Sequence, residues 1–129
     1  LGTDAVRVTK EQILHRMPGK GPEISTPVTG RHGGEFVNFG DYSANLFKKY
    51  GMSGNPPGRA LYDMAAVAIL KNPDWAETYE IPAPVYVDKK WVERPNNPRK
   101  IIIWEWFDIY GIMNDFFVTM DDYKLVKAR

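Results

Sequence analysis

The feature that most constrains this chain is a run of small and apolar residues between Ala60 and Lys71. The run predicts a helix over residues 60–71, and its apolar side chains occur almost all around that helix rather than on one face. Pro73 ends it. A helix of this kind is typical of the interior of a larger body. We therefore expect it to be covered on several sides.

The overall composition excludes several functional classes. The 129 residues suffice for one modest domain, and the formal net charge of +1 leaves no excess of cations for binding nucleic acid or a membrane surface. No apolar run approaches the roughly 18 residues of a membrane span. The absence of cysteine excludes disulfides and thiolate sites. The compartment stays open: cytoplasmic by default, with export or a periplasmic location as alternatives.

Local signals predict two helices in the first half of the chain. Thr9 and Gln12 have the spacing of a capping box, and Pro18 stops the short helix that they begin. Residues 19–34 are rich in glycine and proline and predict a long surface loop. A second helix is predicted over residues 42–50, with Asp41 as its N-cap and Gly51 after its end.

The second half predicts strands followed by a helix. Strand-like runs occupy residues 85–87, 91–93 and 100–107, and the first two are close enough to form a hairpin. Apolar residues at helical spacing then predict a final helix over residues 108–124. We therefore expect an α/β fold of mixed helices and short strands, forming part of a layered sheet.

Asp63 is the most informative polar residue, because it lies in the first turn of the apolar helix. In one interpretation its carboxylate simply complements the positive end of the helix. In the other it serves as a metal ligand, since a carboxylate at the mouth of a buried helix must be paired or bind a cation. Calcium takes about 6–8 oxygen ligands, so the other ligands would have to come from elsewhere.

The segment from Arg59 to Pro73 resembles the C-terminal active-site helix of the inosine–uridine-preferring nucleoside hydrolases. In that family a ring-bearing residue and an aspartate open a helix of the form Asp-x-x-Ala-Val-Ala, as Tyr62 and Asp63 do here. Residues 1–11 are similar to the preceding strand and helix, and residues 82–120 resemble the terminal strands and last helix of bacterial members. The resemblance is weakest in the glycine-rich loop.

The resemblance implies a Rossmann-like fold and hydrolysis of the N-glycosidic bond of ribonucleosides by a calcium-activated water. It makes Asp63 a ligand of Ca²⁺ that also contacts the ribose, and it implies a homo-oligomer. Two departures follow from the residues present. The family's N-terminal aspartate cluster has no counterpart, so the chain is expected to be the C-terminal portion of one domain, inactive alone. Tyr62 replaces the histidine acid of the pyrimidine- and inosine-cleaving members, which indicates base stacking, as in purine-preferring members, more than proton donation. The simpler alternative for Tyr62 is a ring packed into the core.

Other candidates are weaker. His15 and His32 are isolated in the sequence, residues 30–34 lack the lysine and hydroxyl of a phosphate loop, and Asp121 and Asp122 are expected to face solvent. Trp104 and Trp106 would share one face of a strand, where core packing is the simpler role. The rival function is a non-catalytic binding module, for carbohydrate or another ligand, that uses exposed tryptophans at positions 91, 104 and 106.

Overall fold

The computed structural model describes residues 2–123. Its four α-helices are α1 (Lys10–His15), α2 (Phe39–Tyr50), α3 (Met64–Lys71) and α4 (Ile109–Asp121). Its six strands are β1 (Arg7–Thr9), β2 (Gly58–Ala60), β3 (Glu77–Pro82), β4 (Val85–Val87), β5 (Lys90–Val92) and β6 (Lys100–Glu105). Single turns of 3-10 helix occupy Thr3–Ala5 and Pro73–Trp75.

The strands form three small antiparallel sheets within residues 2–123. β1 pairs with β2, β3 with β6, and β4 with β5. This mixture of helices and short strands is the α/β class that the sequence predicts. Each of these sheets has only two strands and none is parallel, so the Rossmann-like arrangement stays a prediction.

Helix ends follow local chemistry. Thr9 accepts a hydrogen bond from the backbone of Gln12, and the Gln12 side chain accepts one from the backbone of Thr9, which confirms the predicted capping box. Asp108 caps α4 by accepting from the Gly111 backbone N–H at 3.0 Å. The predicted helix over residues 108–124 is therefore present, although its predicted last residue lies outside the part of the chain described.

Two predicted helix starts are wrong. Helix α2 begins at Phe39 because the Asn38 side chain caps it, whereas the Asp41 carboxylate instead accepts from the Gly19 backbone N–H at 2.9 Å. Helix α3 begins at Met64 rather than at residue 60, because Gly58–Ala60 forms strand β2 against β1. Strand β6 ends at Glu105, two residues earlier than predicted.

The core lies between the β1–β2 sheet and the helices. Val6, Val8 and Ile13 are completely buried there, and Ile112 is 1% exposed. Helix α3 contributes its small residues, Ala65 and Ala68, to the same cluster. Among the described residues, no helix is both long enough and apolar enough to cross a membrane.

Candidate functional site

The site predicted from the sequence lies where β2 leads into α3. The Leu61 backbone N–H donates to the Val6 carbonyl at 2.8 Å, which fixes the chain on the core before it turns. Met64 then donates to the Leu61 carbonyl at 2.7 Å and begins the helix. Tyr62 and Asp63 occupy the turn between these two anchors, so both are held by backbone contacts on either side.

Asp63 does not use its carboxylate to close its own helix. The residue occupies the N-cap position, but its backbone is already helical, with φ −70° and ψ −20°, and its side chain accepts no capping hydrogen bond. Its carbonyl oxygen accepts from Ala66 and Val67 instead. The side chain is exposed. The carboxylate is thus placed at the positive end of α3 without closing the helix by a capping hydrogen bond.

Tyr62 is 56% exposed. The core contact at this turn is made by its neighbour Leu61, which packs against the buried cluster. The alternative in which the tyrosine ring fills the core is therefore wrong. Tyr62 directly precedes Asp63 in the sequence. Its side chain is accessible to solvent, as is required of a ring that stacks on a planar ligand.

Within this chain helix α3 is buried on one side only, whereas the expected cover on several sides belongs to a complete, larger body. Ala65 and Ala68 are buried, but Val67 is 64% exposed and Leu70 is 85% exposed. Ile69 is half-buried. The exposed side of this helix is apolar, because it carries Val67 and Leu70.

A groove follows this exposed side between α3 and α4. It has a volume of about 360 Å³, and Met64, Val67, Phe116 and Met120 lie among its walls. At its rim the Lys71 ammonium contacts both carboxylate oxygens of Asp115, at 2.6 and 2.7 Å, and joins the two helices. Met64, which follows Asp63 in the sequence, is one of the residues that line this groove.

The donor set fits one ligand of a calcium site and no more. Among residues 2–123 there is no group of three or more histidine, cysteine, aspartate or glutamate side chains placed to hold a metal ion. Asp63 supplies one carboxylate, whereas calcium takes about 6–8 oxygens. A calcium ion bound at Asp63 would therefore need further oxygen ligands.

The remaining candidates are placed as follows. His15 is on the surface of α1, 3.4 Å from Glu11, as predicted. His32 is not isolated, because the Tyr50 hydroxyl lies 2.8 Å from its Nδ1. Asp121 forms ion pairs with Arg16 at 3.2 Å and Lys20 at 3.3 Å. The sequence could not reveal the partners of His32 and Asp121, since these partners are distant along the chain.

The tryptophans do not form one shared surface on strand β6. Trp104 packs against the core, in agreement with the simpler prediction. Trp106 lies beyond the end of the strand, has a φ of 54° and is 57% exposed, so the prediction that the two rings share a strand face is wrong. Trp91 is 71% exposed on strand β5.

Comparison of the chain with known protein families, with curated proteins and with solved structures gave no match.

Proposed function

We propose that this chain is the C-terminal portion of a nucleoside hydrolase domain that cleaves the N-glycosidic bond of ribonucleosides. In this proposal Asp63 is one ligand of a calcium ion, Tyr62 contacts the nucleobase, and an upstream segment of the same domain supplies the remaining ligands and the catalytic base. A Rossmann-like arrangement of the complete domain belongs to the same proposal.

The observation that carries the proposal is that the exposed Asp63 carboxylate does not cap its own helix. An aspartate at a helix start usually caps that helix, which satisfies its oxygens locally. The Asp63 side chain makes no such bond, although the position is suited to it. An exposed carboxylate that makes no capping bond is available to bind a cation from solvent.

The chain's own residues then have separate roles. Asp63 would hold the ion and contact the ribose hydroxyls, and its negative charge would stabilise positive charge that develops on the sugar during glycosidic cleavage. In the family that the chain resembles, the bound calcium supplies an activated water. The exposed ring of Tyr62 would stack on the base and orient the glycosidic bond.

The uncovered side of α3 also supports the proposal. Exposed Val67 and Leu70 leave apolar surface in water, and burying it would stabilise the complete domain by about 25 cal/mol per Å². Packing of the rest of the domain against α3 would cover this surface and bring other ligands toward Asp63. An independently folded binding module has no need of such an open helix.

The direct test measures ribose release in the presence and absence of calcium. We expect the 129-residue chain alone to release none, because it lacks the other ligands and the base. The longer protein that we propose should release ribose only with calcium. Asp63→Ala in that protein should lower kcat/KM at least about 100-fold, because the variant loses an anionic contact to both ion and sugar.

Asp74→Ala is the matched control. Asp74 is also an exposed carboxylate, at the start of the short 3-10 helix after α3, where its backbone rather than its side chain is bound by Asn72. The control variant should retain full activity and calcium affinity. Normal calcium binding and turnover by Asp63→Ala would overturn the assignment of Asp63, and absence of nucleoside cleavage by the longer protein would overturn the proposal.

A second candidate function is carbohydrate binding, favoured by the exposed rings of Trp91 and Trp106. Such a module would bind oligosaccharides without calcium and without an additional segment. Titration of tryptophan fluorescence with sugars, using Trp91→Ala as the comparison, separates this function from hydrolysis.

A further inference from the structure

The two faces of the β3–β6 pair differ in how far they are covered. Directly opposed residues share a face, and so do alternate residues along each strand. The antiparallel register therefore places Ile81, Ile101 and Ile103 together on one face. These isoleucines are half-buried, whereas Ile102 on the other face is 60% exposed. The face that carries the three isoleucines is thus the more covered of the two.

This isoleucine face forms the floor of a cleft, which we call the Trp91 cleft. Its volume is about 500 Å³, and residues from the hairpin and from the ends of the two strands complete its walls. The described residues that line it are Ile81, Ala83, Pro84, Trp91, Arg99, Ile101 and Ile103. Pockets for small molecules commonly measure about 300–1,000 Å³ and combine an apolar lining with a few polar groups. The Trp91 cleft has both properties.

Trp91 supplies the aromatic wall of the cleft. Its side chain is 71% exposed, so its ring is not used to fill the core. The centroid of the ring lies 5.0 Å from that of Tyr86, the residue directly opposite on β4. A cross-strand contact between two rings restricts the orientation of the indole before a ligand arrives, which lowers the cost of ordering it on binding. A flat ligand can stack on a ring held in this way.

Arg99 supplies the charge. It is the one charged residue among the described residues that line the cleft. Its backbone is held at both polar groups, because its carbonyl accepts from the Ala83 N–H at 2.8 Å and its N–H donates to the Asn97 side chain at 3.1 Å. Its guanidinium forms no ion pair within residues 2–123. A guanidinium has a planar set of N–H donors that matches the two oxygens of a carboxylate.

A second groove lies on the other side of Trp91 and differs in charge. It also has a volume of about 500 Å³, and both Arg94 and Glu93 line it. The opposite charges of these two residues balance, so this groove offers an anion no net attraction. The comparison favours the Trp91 cleft, with its unbalanced Arg99, as the place for an anionic ligand.

We propose that the Trp91 cleft binds a small organic anion that carries a flat ring and a carboxylate. The ring stacks on Trp91 over the isoleucine floor, and the carboxylate accepts hydrogen bonds from Arg99. A neutral sugar would use the tryptophan but not the charge of Arg99, so the two kinds of ligand can be distinguished. The cleft shares no residue with Tyr62 and Asp63, and the proposal does not depend on the hydrolase activity.

The test compares two probes that have the same ring and opposite charges, indole-3-acetate and tryptamine. Each is titrated into the isotope-labelled chain while nuclear magnetic resonance follows the indole N–H signal of Trp91, identified by its loss in Trp91→Phe. Ligands of this size bind with dissociation constants of about 1 mM, and we expect that value for indole-3-acetate. Tryptamine should bind about tenfold more weakly or not at all, because Arg99 repels its ammonium group.

Arg99→Gln should weaken the binding of indole-3-acetate about fivefold or more and should remove the preference over tryptamine. Lys90→Gln is the matched control. It removes the same charge from the residue next to Trp91, and it lies on the opposite face of the hairpin because side chains alternate along β5. This control variant should bind indole-3-acetate like the unmodified chain. Trp91→Ala should abolish measurable binding.

Three results would overturn the proposal: no change in the Trp91 signal with indole-3-acetate up to about 10 mM, equal affinity for the two probes, or unchanged binding by Arg99→Gln. Cellobiose that binds as tightly as indole-3-acetate would also overturn it, in favour of a neutral sugar site. If circular dichroism shows that Trp91→Ala is unfolded, the comparison of Arg99→Gln with Lys90→Gln decides, since both positions are exposed.

Discussion

The helical part of the molecule and the strand segment from Glu77 to Glu105 are stabilised in different ways. Of the thirteen apolar residues that are buried within residues 2–123, twelve lie outside the strand segment, and the strand segment contributes only Ala83. The strand segment depends on its ladder hydrogen bonds and on exposed cross-strand pairs such as Tyr86 with Trp91. Where apolar residues are left uncovered in an ordered segment, a surface is available for another part of the protein or for another molecule.

The largest expected difference comes from deleting isoleucine side-chain atoms in each region. Ile13 is fully buried, so Ile13→Ala should lower the free energy of unfolding by about 2–5 kcal/mol through lost burial and a cavity. Ile102 is 60% exposed, and Ile102→Ala should cost less than about 1 kcal/mol. Urea unfolding of the monomeric chain measures both. Equal losses would contradict the division into a packed part and an open part.

A smaller difference is expected for threonine. Thr9→Ala removes one half of the capping box of α1 and should cost about 1 kcal/mol. Thr78 is exposed on β3 and caps no helix, so Thr78→Ala should cost clearly less. Thermal unfolding of the two variants provides the comparison. A larger loss for Thr78→Ala would show that exposed residues of the strand segment make stabilising contacts.

The smallest effect concerns the exposed ion pair between Lys100 on β6 and Glu80 on β3, whose Nζ and Oε1 atoms lie 2.7 Å apart. The hydrogen bond to Glu80, together with its negative charge, raises the pKa of Lys100 above the ordinary value of 10.5. A raised lysine pKa stabilises the fold below pH 10.5, and this stabilisation is lost as pH rises through the pKa of the folded chain. Because the pair is exposed, the effect on stability should be slight and should weaken further in high salt.

Nuclear magnetic resonance titration of Lys100 measures this effect directly. The pKa should fall toward its ordinary value in Glu80→Gln. An unchanged pKa in that variant would mean that another group, and not Glu80, holds the lysine proton.

Features governed by neighbours in sequence could be predicted, and features governed by distant partners could not. The capping box at Thr9, the β4–β5 hairpin and helix α4 each depend on residues within a few positions. Strand β3 was not predicted, because its apolar alternation is limited to Tyr79 and Ile81 and its partner β6 is distant. Helix α3 is shorter than predicted because Gly58–Ala60 pairs with residues some 50 positions earlier.

The candidate site was predictable only in part. The sequence places Tyr62 and Asp63 at the start of an apolar helix, and both are exposed there. It could not indicate that the Asp63 side chain leaves its helix uncapped, because capping depends on the backbone conformation at that residue. The partners of His32 and Asp121 were missed because they are distant along the chain.

The pairing register of strands β3 and β6 determines where the sequence can lengthen or shorten without moving the helices. Glu77 and Glu105 are direct partners, so the whole strand segment leaves the helical part and returns to it at a single point. Its length is therefore not set by the distance between two separate attachment points. Insertions or deletions between Glu77 and Glu105 can therefore change the β4–β5 hairpin and its loops while the helices keep their places.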